Sequence, residues 1–474
     1  MSPMATRTTA IDDLAGALRG VLGEDRVSRN DDVLNLHGTD ESWHRPAPPD
    51  VVVFPVSVDE VVAVVDVARS AGAPIVPFGA GTSLEGHVAA LSGGVCVDLT
   101  RMNRILRVGV EDLDVTVEAG VTRTQLDARL RPEGVFFPVD PGADATIGGM
   151  VGTRASGTTA VRYGTMRENV LALTVVTPAG TVLRTGSRAR KSSSGYDLTR
   201  LFVGSEGTLG IVVEATLRVY PTPEAISAAV CSFPTVDAAV ACVIETIQLG
   251  VPIARIELLD EVEMGAVVRR AELPYAVAPT LFLEFHGSAA GVVEQSETVG
   301  EIAREHGGAS FVWATGQEER TRLWEARHDS YGAALALRPG AKGFVTDVCV
   351  PISQLARCLS ETRRDIDGAG LIAPIVGHVG DGNFHVTFLI DPDDAEELRL
   401  AETVTERMVR RALELGGTCS GEHGVGYGKT RYLPLEHGEE GMEAMRAIKA
   451  ALDPEGLMNP GKILPNAAGE QASA

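Results

Sequence analysis

The feature that most constrains this chain is the span from Pro138 to Gly164. There Pro138-Val139-Asp140-Pro141-Gly142-Ala143-Asp144-Ala145-Thr146-Ile147-Gly148-Gly149-Met150 runs on through Gly152, Ala155-Ser156-Gly157 and Arg162-Tyr163-Gly164. Side chains this small bury too little to build a core, but they let backbone lie flush against something flat and large. A second glycine-rich turn, Phe78-Gly79-Ala80-Gly81-Thr82-Ser83-Leu84-Glu85-Gly86-His87, follows a short apolar strand expected at 74–77. Backbone N–H groups in such a nest come close to phosphate oxygens. It matches neither of two familiar phosphate loops. His87 and Val88 stand where a P-loop carries Lys and Ser/Thr, and Leu84 stands where the dinucleotide fingerprint has its third glycine.

Gly377-His378-Val379-Gly380-Asp381-Gly382-Asn383-Phe384-His385 is answered further on by Ser420-Gly421-Glu422-His423-Gly424. The apolar residues 371–376 predict a strand ending near His378, despite Pro374. Asp381-Gly382-Asn383 predicts a turn, and His385 is expected to open a second strand over 386–390. His378 and His385 would then face each other across a tight turn. Two histidines beside a turn can be ordinary loop residues; the Glu-His pair between glycines strengthens the case for a metal. Imidazole nitrogens with a carboxylate oxygen suit zinc, manganese or iron, and three protein ligands leave room for water or substrate. Glu422 is the candidate third ligand, with His423 beside it to move a proton. Asp381 is as well suited to closing the turn.

At 474 residues the chain is too long for one ordinary core, so two or three domains are expected. No apolar run is long enough to span a bilayer, and Arg7 is not followed by the apolar stretch of a secretory signal. A formal charge of −22 argues against nucleic acid as a partner. Cys96, Cys231, Cys242, Cys349, Cys358 and Cys419 are scattered without a C-x-x-C pair, against iron–sulfur and structural zinc spacings. Reduced, buried thiols and a cytoplasmic compartment are the expectation.

Periodicity gives a helix over 11–22 with Asp12 and Asp13 near its start, a strand at 51–55, and a helix over 58–71 capped by Ser57. Strands follow at 94–99 and 115–118, a helix from Thr122 to 130, and a hairpin of 170–177 with 181–184 around Pro178-Ala179-Gly180. A last strand covers 211–219 and Pro221-Thr222-Pro223 reads as a linker. Beyond it, helices at 238–249 and 292–306 alternate with strands at 253–258 and 280–285, and Trp324 to His328 lies on a helix. The small, polar residues 466–474 read as a disordered tail.

Residues 77–87, 138–150, 155–164, 204–210, the histidine–turn–histidine stretch, 420–426 and Asn459-Pro460-Gly461-Lys462 occur here in one order. Together they resemble the FAD-linked oxidases of the vanillyl-alcohol-oxidase (PCMH) type, in the branch of the cytochrome-type D-lactate dehydrogenases and the glycolate oxidase flavoproteins. The resemblance implies an α+β chain: a two-subdomain FAD-binding domain over 1–222, an α+β cap with an antiparallel sheet over 223–430, and a segment over 431–474 that returns to the FAD domain. It implies that Gly79, Ala80, Gly81, Thr82 and Ser83 hold the pyrophosphate. Pro141, Asp144, Ile147, Gly148, Gly149, Ser156, Gly157, Tyr163 and Gly164 would line the cofactor, Glu206 and Ile211 would lie near its adenosine half, and Asn459 would reach the flavin. Some relatives attach FAD through a histidine where this chain has Thr82, so FAD is expected to be non-covalent.

It further implies that Arg327 grips a substrate carboxylate, as a guanidinium can with two parallel hydrogen bonds. His378, His385 and Glu422 would bind the divalent metal and His423 would act as base. The expected activity is oxidation of a D-2-hydroxy acid to the 2-oxo acid, with electrons passed to a cytochrome, quinone or electron-transfer flavoprotein. Relatives that oxidise D-2-hydroxyglutarate carry a lysine two residues before the position of Asp347. Val345 stands there, which favours a small or apolar substrate side group. The other readings are the flavoprotein subunit of a glycolate oxidase complex and, since ether-lipid synthases share the fold, a non-redox flavoprotein. A homodimer, and a place at the periphery of the inner membrane through the acceptor, complete the expectations.

Overall fold

A computed structural model describes residues 3–271, 274–314 and 316–465; the expected tail at 466–474 lies outside them. The chain forms two compact units. One holds Met1–Ala155, Thr165–Pro221 and His423–Ala474, and the other holds Ser156–Gly164 and Thr222–Glu422.

The first unit contains a four-stranded sheet in the order Val27–Ser28, Val51–Val53, Val95–Asp98, Ile75–Phe78, its last three strands parallel. The helix Val58–Ala71 begins where Ser57 accepts the Glu60 N–H at 3.3 Å and ends at Gly72 in the left-handed conformation. Its Val61, Val64, Val65 and Ala68 recur at helical spacing and pack on Val51, Val53, Ile75, Val95 and Val97. The last segment joins this sheet: Ile75 N–H donates to Leu457 O and Asn459 N–H to Ile75 O, each at 2.8 Å. A second, antiparallel sheet runs Ile105–Gly109, Asp114–Glu118, Ile211–Arg218, Val170–Val176, Val182–Arg184. The N-terminal helix covers Pro3–Leu22 rather than starting at Ile11. Nothing in the residues before Ile11 breaks a helix, so Asp12 and Asp13 sit inside it.

The second unit is built on a seven-stranded antiparallel sheet in the order Ala309–Ala314, Ala225–Ser232, Thr280–Gly287, Ile253–Leu259, Ile375–Gly377, Asn383–Ile390, Lys342–Cys349. The strand expected at 371–376 shrinks to Ile375–Gly377. The carbonyls of Ile372 and Pro374 still accept from Leu389 and Thr387, but proline has no N–H to complete the ladder. The next strand starts earlier than expected, at Asn383, because Asn383 pairs with Cys349; His385 therefore lies within it. All six cysteines are free thiols, and no helix among the described residues is long and apolar enough to cross a membrane.

Under this sheet, Asp260 accepts the Glu263 N–H at 2.8 Å at the start of the helix Glu261–Ala271. Glu263 is buried, and its Oε1 has no hydrogen-bond partner among the described residues. Burial, then the nearby Asp260 carboxyl, push its pKa up to about 8 against the opposing pull of Arg327. From the ordinary 4.5 up to about 8 the folded chain keeps a proton that the unfolded chain releases, so this group's contribution to stability falls as pH rises through that window. Glu263→Gln is expected to flatten that dependence and to be the more stable protein at pH 8, by on the order of a few kcal/mol at ~1.4 per pH unit. Urea unfolding of both proteins at pH 5 and pH 8 checks it.

Candidate functional site

The short strand Ile375–Gly377 and the strand Asn383–Ile390 pair with Val376 opposite His385, and Asp381 N–H closes the turn onto His378 O at 3.1 Å. The two imidazoles thus stand 5.0 Å apart, ring centre to ring centre, at 79°. Glu422 reaches both: its Oε1 lies 3.0 Å from His378 Nε2 and 3.1 Å from His385 Nε2. One ligand atom from each of the three falls within 4.8 Å of the others. Asp381 is exposed and stands outside this group.

The loop bearing Glu422 is held by Asp347 on the strand Lys342–Cys349. Asp347 Oδ2 accepts the N–H groups of Gly421 at 2.7 Å and Glu422 at 2.8 Å. Asn383 donates to the same carboxylate at 3.3 Å. A Cβ at 421 would lie 2.0 Å from Asn383 Nδ2, so any larger residue there displaces the buried Asn383 amide.

Behind His378 stands Glu257, wholly buried, with Oε1 and Oε2 at 2.7 and 2.9 Å from Nδ1. Arg327, buried on the helix Gln317–His328, donates from one terminal nitrogen to Glu257 Oε2 at 2.6 Å and from the other to Ser330 Oγ at 3.3 Å. Burial opposes a charge on His378, but Glu257 and Glu422 outweigh it and hold its pKa well above the ordinary value. Burial likewise opposes charge on Glu422, yet the two imidazoles hold it well below the usual carboxylate range. Two imidazole nitrogens trained on one carboxylate oxygen, with Nδ1 of His378 satisfied from behind, is a donor set that fits a divalent cation.

In the first unit, the expected pyrophosphate loop and the glycine-rich span meet. A Cβ at Gly79 would fall 2.2 Å from Thr146 Oγ1, so glycine lets the backbone of this loop pack against the Thr146 side chain of the span, and bare glycine backbone of this kind fits a flat cofactor. Other expected cofactor contacts have protein partners. Ile147 and Gly148 donate their N–H groups to Val121 O at 2.8 Å and Ala119 O at 2.7 Å, and Gly149 donates to Thr146 Oγ1. Asp144 accepts the Thr124 N–H at 2.9 Å, Ser83 Oγ donates to Asp40, and Ile211 lies in the core with Ile75 and Val213. In the second unit, Tyr163 Oη lies 2.8 Å from His286 Nδ1.

Glu206 and Asn459, expected beside the cofactor, also have protein partners. Both are buried with left-handed backbone. Glu206 accepts the N–H groups of Val425 at 2.6 Å and Gly426 at 2.8 Å and lies 3.3 Å from His87 Nε2. Asn459 donates to the carbonyls of Glu206 at 2.7 Å and His87 at 3.2 Å, and accepts from Lys462. These side chains hold the segment that begins at the half-buried His423, and His87 is part of that buried cluster.

Two family profiles match the chain: "FAD linked oxidases, C-terminal domain" over residues 222–463 and "FAD binding domain" over 49–186. The chain belongs to the FAD-linked oxidases. It is 54% identical over 463 residues to a probable mitochondrial D-lactate dehydrogenase of Danio rerio, covering 97% of this chain and 93% of that one. A mitochondrial D-lactate dehydrogenase (cytochrome) of Arabidopsis thaliana is 46% identical, over 96% of this chain and 80% of that one. This FAD-linked oxidase also shares its fold with p-cresol methylhydroxylase solved with substrate bound, at a TM-score of 0.80 and 19% identity over 96% of this chain and 97% of that one. The expectation of a cytoplasmic compartment is overturned by these relatives, both of which are mitochondrial. Free thiols speak only for a reducing compartment, and do not single out the cytoplasm.

Gly421→Ala is expected to displace Asn383 and the Glu422 loop, weakening zinc or manganese binding at least about tenfold while FAD content is kept. Metal titration against a competing chelator measures it.

Proposed function

We propose that this FAD-linked oxidase oxidises D-lactate, or a D-2-hydroxy acid of similarly small or apolar side group, to the 2-oxo acid with the help of a divalent cation. The observation that carries the metal-assisted reading is the approach of one Glu422 oxygen to both imidazoles, at 3.0 and 3.1 Å. The names of relatives at 54% and 46% identity support the substrate class and, in the plant protein, a cytochrome as electron acceptor. The unit carrying the glycine-rich loops is read as the FAD-binding domain and the unit carrying the seven-stranded sheet as the substrate cap.

When bound, FAD supplies the two-electron acceptor for the C2 hydrogen, and zinc or manganese supplies a Lewis acid for the hydroxyl and carboxylate oxygens. His378, His385 and Glu422 would hold the cation. Arg327, whose two terminal nitrogens are engaged by Ser330 and Glu257 rather than held open for the expected pair of parallel hydrogen bonds, would meet the substrate carboxylate through its Nε, a positional role that orients C2. His423, next in the chain to Glu422, takes the hydroxyl proton on a ring nitrogen, a role that imidazole fills more often than any other side chain. Val345 lies on the same side of its strand as Asp347 and pairs with Thr387. Neither residue carries a cation for a second substrate carboxylate.

His423→Ala is expected to lower turnover by at least about a hundredfold with FAD retained, whereas His378→Ala loses bound metal as well. Anaerobic bleaching of the flavin by D-lactate, with and without chelator, reads both. Val345→Lys is expected to move the ratio of kcat/KM from D-lactate toward D-2-hydroxyglutarate by roughly tenfold or more, by offering a charge partner to the distal carboxylate.

A further inference from the structure

Glu257 lies on the strand Ile253–Leu259, which pairs with Ile375–Gly377 through Leu258 opposite Gly377 and Leu259 opposite Val376. One step further along that register brings Glu257 level with His378. The residue is fully buried, as are its strand neighbours Ile256 and Leu258. It faces two donors: His378 Nδ1 at 2.7 and 2.9 Å, and Arg327 at 2.6 Å.

We propose that Glu257 is a positioning residue which decides the nitrogen of His378 that carries a hydrogen, and so the nitrogen presented to a divalent cation, while anchoring Arg327 beside the same site. The inference rests on the metal-assisted reading above and deepens it.

Ionised carboxylate oxygens only accept hydrogen bonds, so a nitrogen facing both at these distances must bear its hydrogen. By the same rule Nε2, turned to Glu422 at 3.0 Å, also carries a hydrogen while that carboxylate faces it; a divalent cation entering between them would displace that hydrogen, whereas Nδ1 keeps its own against Glu257. Remove the acceptor behind the ring, and the imidazole is free to hold its single hydrogen on Nε2 instead. In that form it is no ligand.

The link to Arg327 follows from the same carboxylate. One terminal nitrogen of the guanidinium is tied to Glu257 and the other to Ser330, so the planar fork is fixed at both arms. Its Nε, though buried, has no hydrogen-bond partner among the described residues, and so retains a donor for a carboxylate ligand. Loss of Glu257 therefore disturbs the cation site and the substrate grip together, which a residue that merely fills space does not do.

The test compares the parent, Glu257→Gln, Glu257→Asp and His378→Ala, each loaded with FAD, for zinc affinity by chelator competition and for KM and kcat with D-lactate. Glu257→Gln puts an amide that can donate where only acceptors stood. Its zinc affinity is expected to fall about 10–100-fold and its KM to rise, with FAD content unchanged. Glu257→Asp keeps the charge at shorter reach and is expected to lie between. If His378→Ala binds zinc as the parent does, the metal reading itself fails. If His378→Ala loses zinc while both Glu257 variants keep parental affinity, the metal site stands and the role of Glu257 is overturned. A measurement on the parent needs no variant to fold. In the zinc-loaded protein labelled with ¹⁵N-histidine, His378 must show a protonated Nδ1 and a metal-bound Nε2; zinc on Nδ1 overturns the proposal.

Discussion

A carboxylate buried in an antiparallel sheet keeps its charge only if donors replace the water it gave up, and Glu257 is that carboxylate here. Burial works against its ionisation, while His378 and Arg327 together hold its pKa below the ordinary value. The residues around it form a chain in which carboxylates alternate with nitrogen groups: Arg327, Glu257, His378, Glu422, His385. Each member is acceptable in a buried place because of its neighbours on either side. Removing one partner from such a buried series leaves a bare charge, with a cost of about 3–5 kcal/mol in comparable cases, so the arrangement is retained or lost largely as a whole. Its elements come from separate stretches of chain, and the sheet register brings them level.

The same dependence on distant partners runs through both units, because neither is a continuous length of chain. The short segment Ser156–Gly164 belongs with the sheet of the second unit. There Arg162 donates to the carbonyls of Pro252 at 2.6 Å and His286 at 2.8 Å, and Tyr163 meets the His286 ring. The first unit recovers its final edge only from the end of the chain, where Met458 pairs beside Ile75. The chain leaves the second unit between Glu422 and His423, the two residues given adjacent chemical roles. Closing such long loops before their contacts form is entropically costly, which favours slow, cooperative assembly over independent folding of either unit.

Where the chemistry is local, it could be read from the residues. Ser57 ahead of an amphipathic run gave the helix Val58–Ala71 and its cap, and Asp381-Gly382 between apolar stretches gave the turn that faces His378 with His385. Glu257 and Asp347 could not be found this way. Each is a lone acid in an otherwise strand-like run, and its partners are far away in the chain. The partners of Glu206 were hidden for a related reason. It lies in a glycine-rich motif that points to the cofactor, but its side chain is engaged by backbone N–H groups of Val425 and Gly426. The strand expected at 371–376 was overextended because apolar residues were counted without the missing donor of Pro374.

By itself, then, the order of residues determined the side-chain types gathered at the candidate site, the turns that present them and the family to which the chain belongs, since these depend on side-chain chemistry and on backbone preferences within a few residues. Only the tertiary structure decided which acid stands behind which imidazole, and which guanidinium arm is taken. Those pairings are set by strand register and by burial, and both arise from interactions between segments that no local pattern encodes.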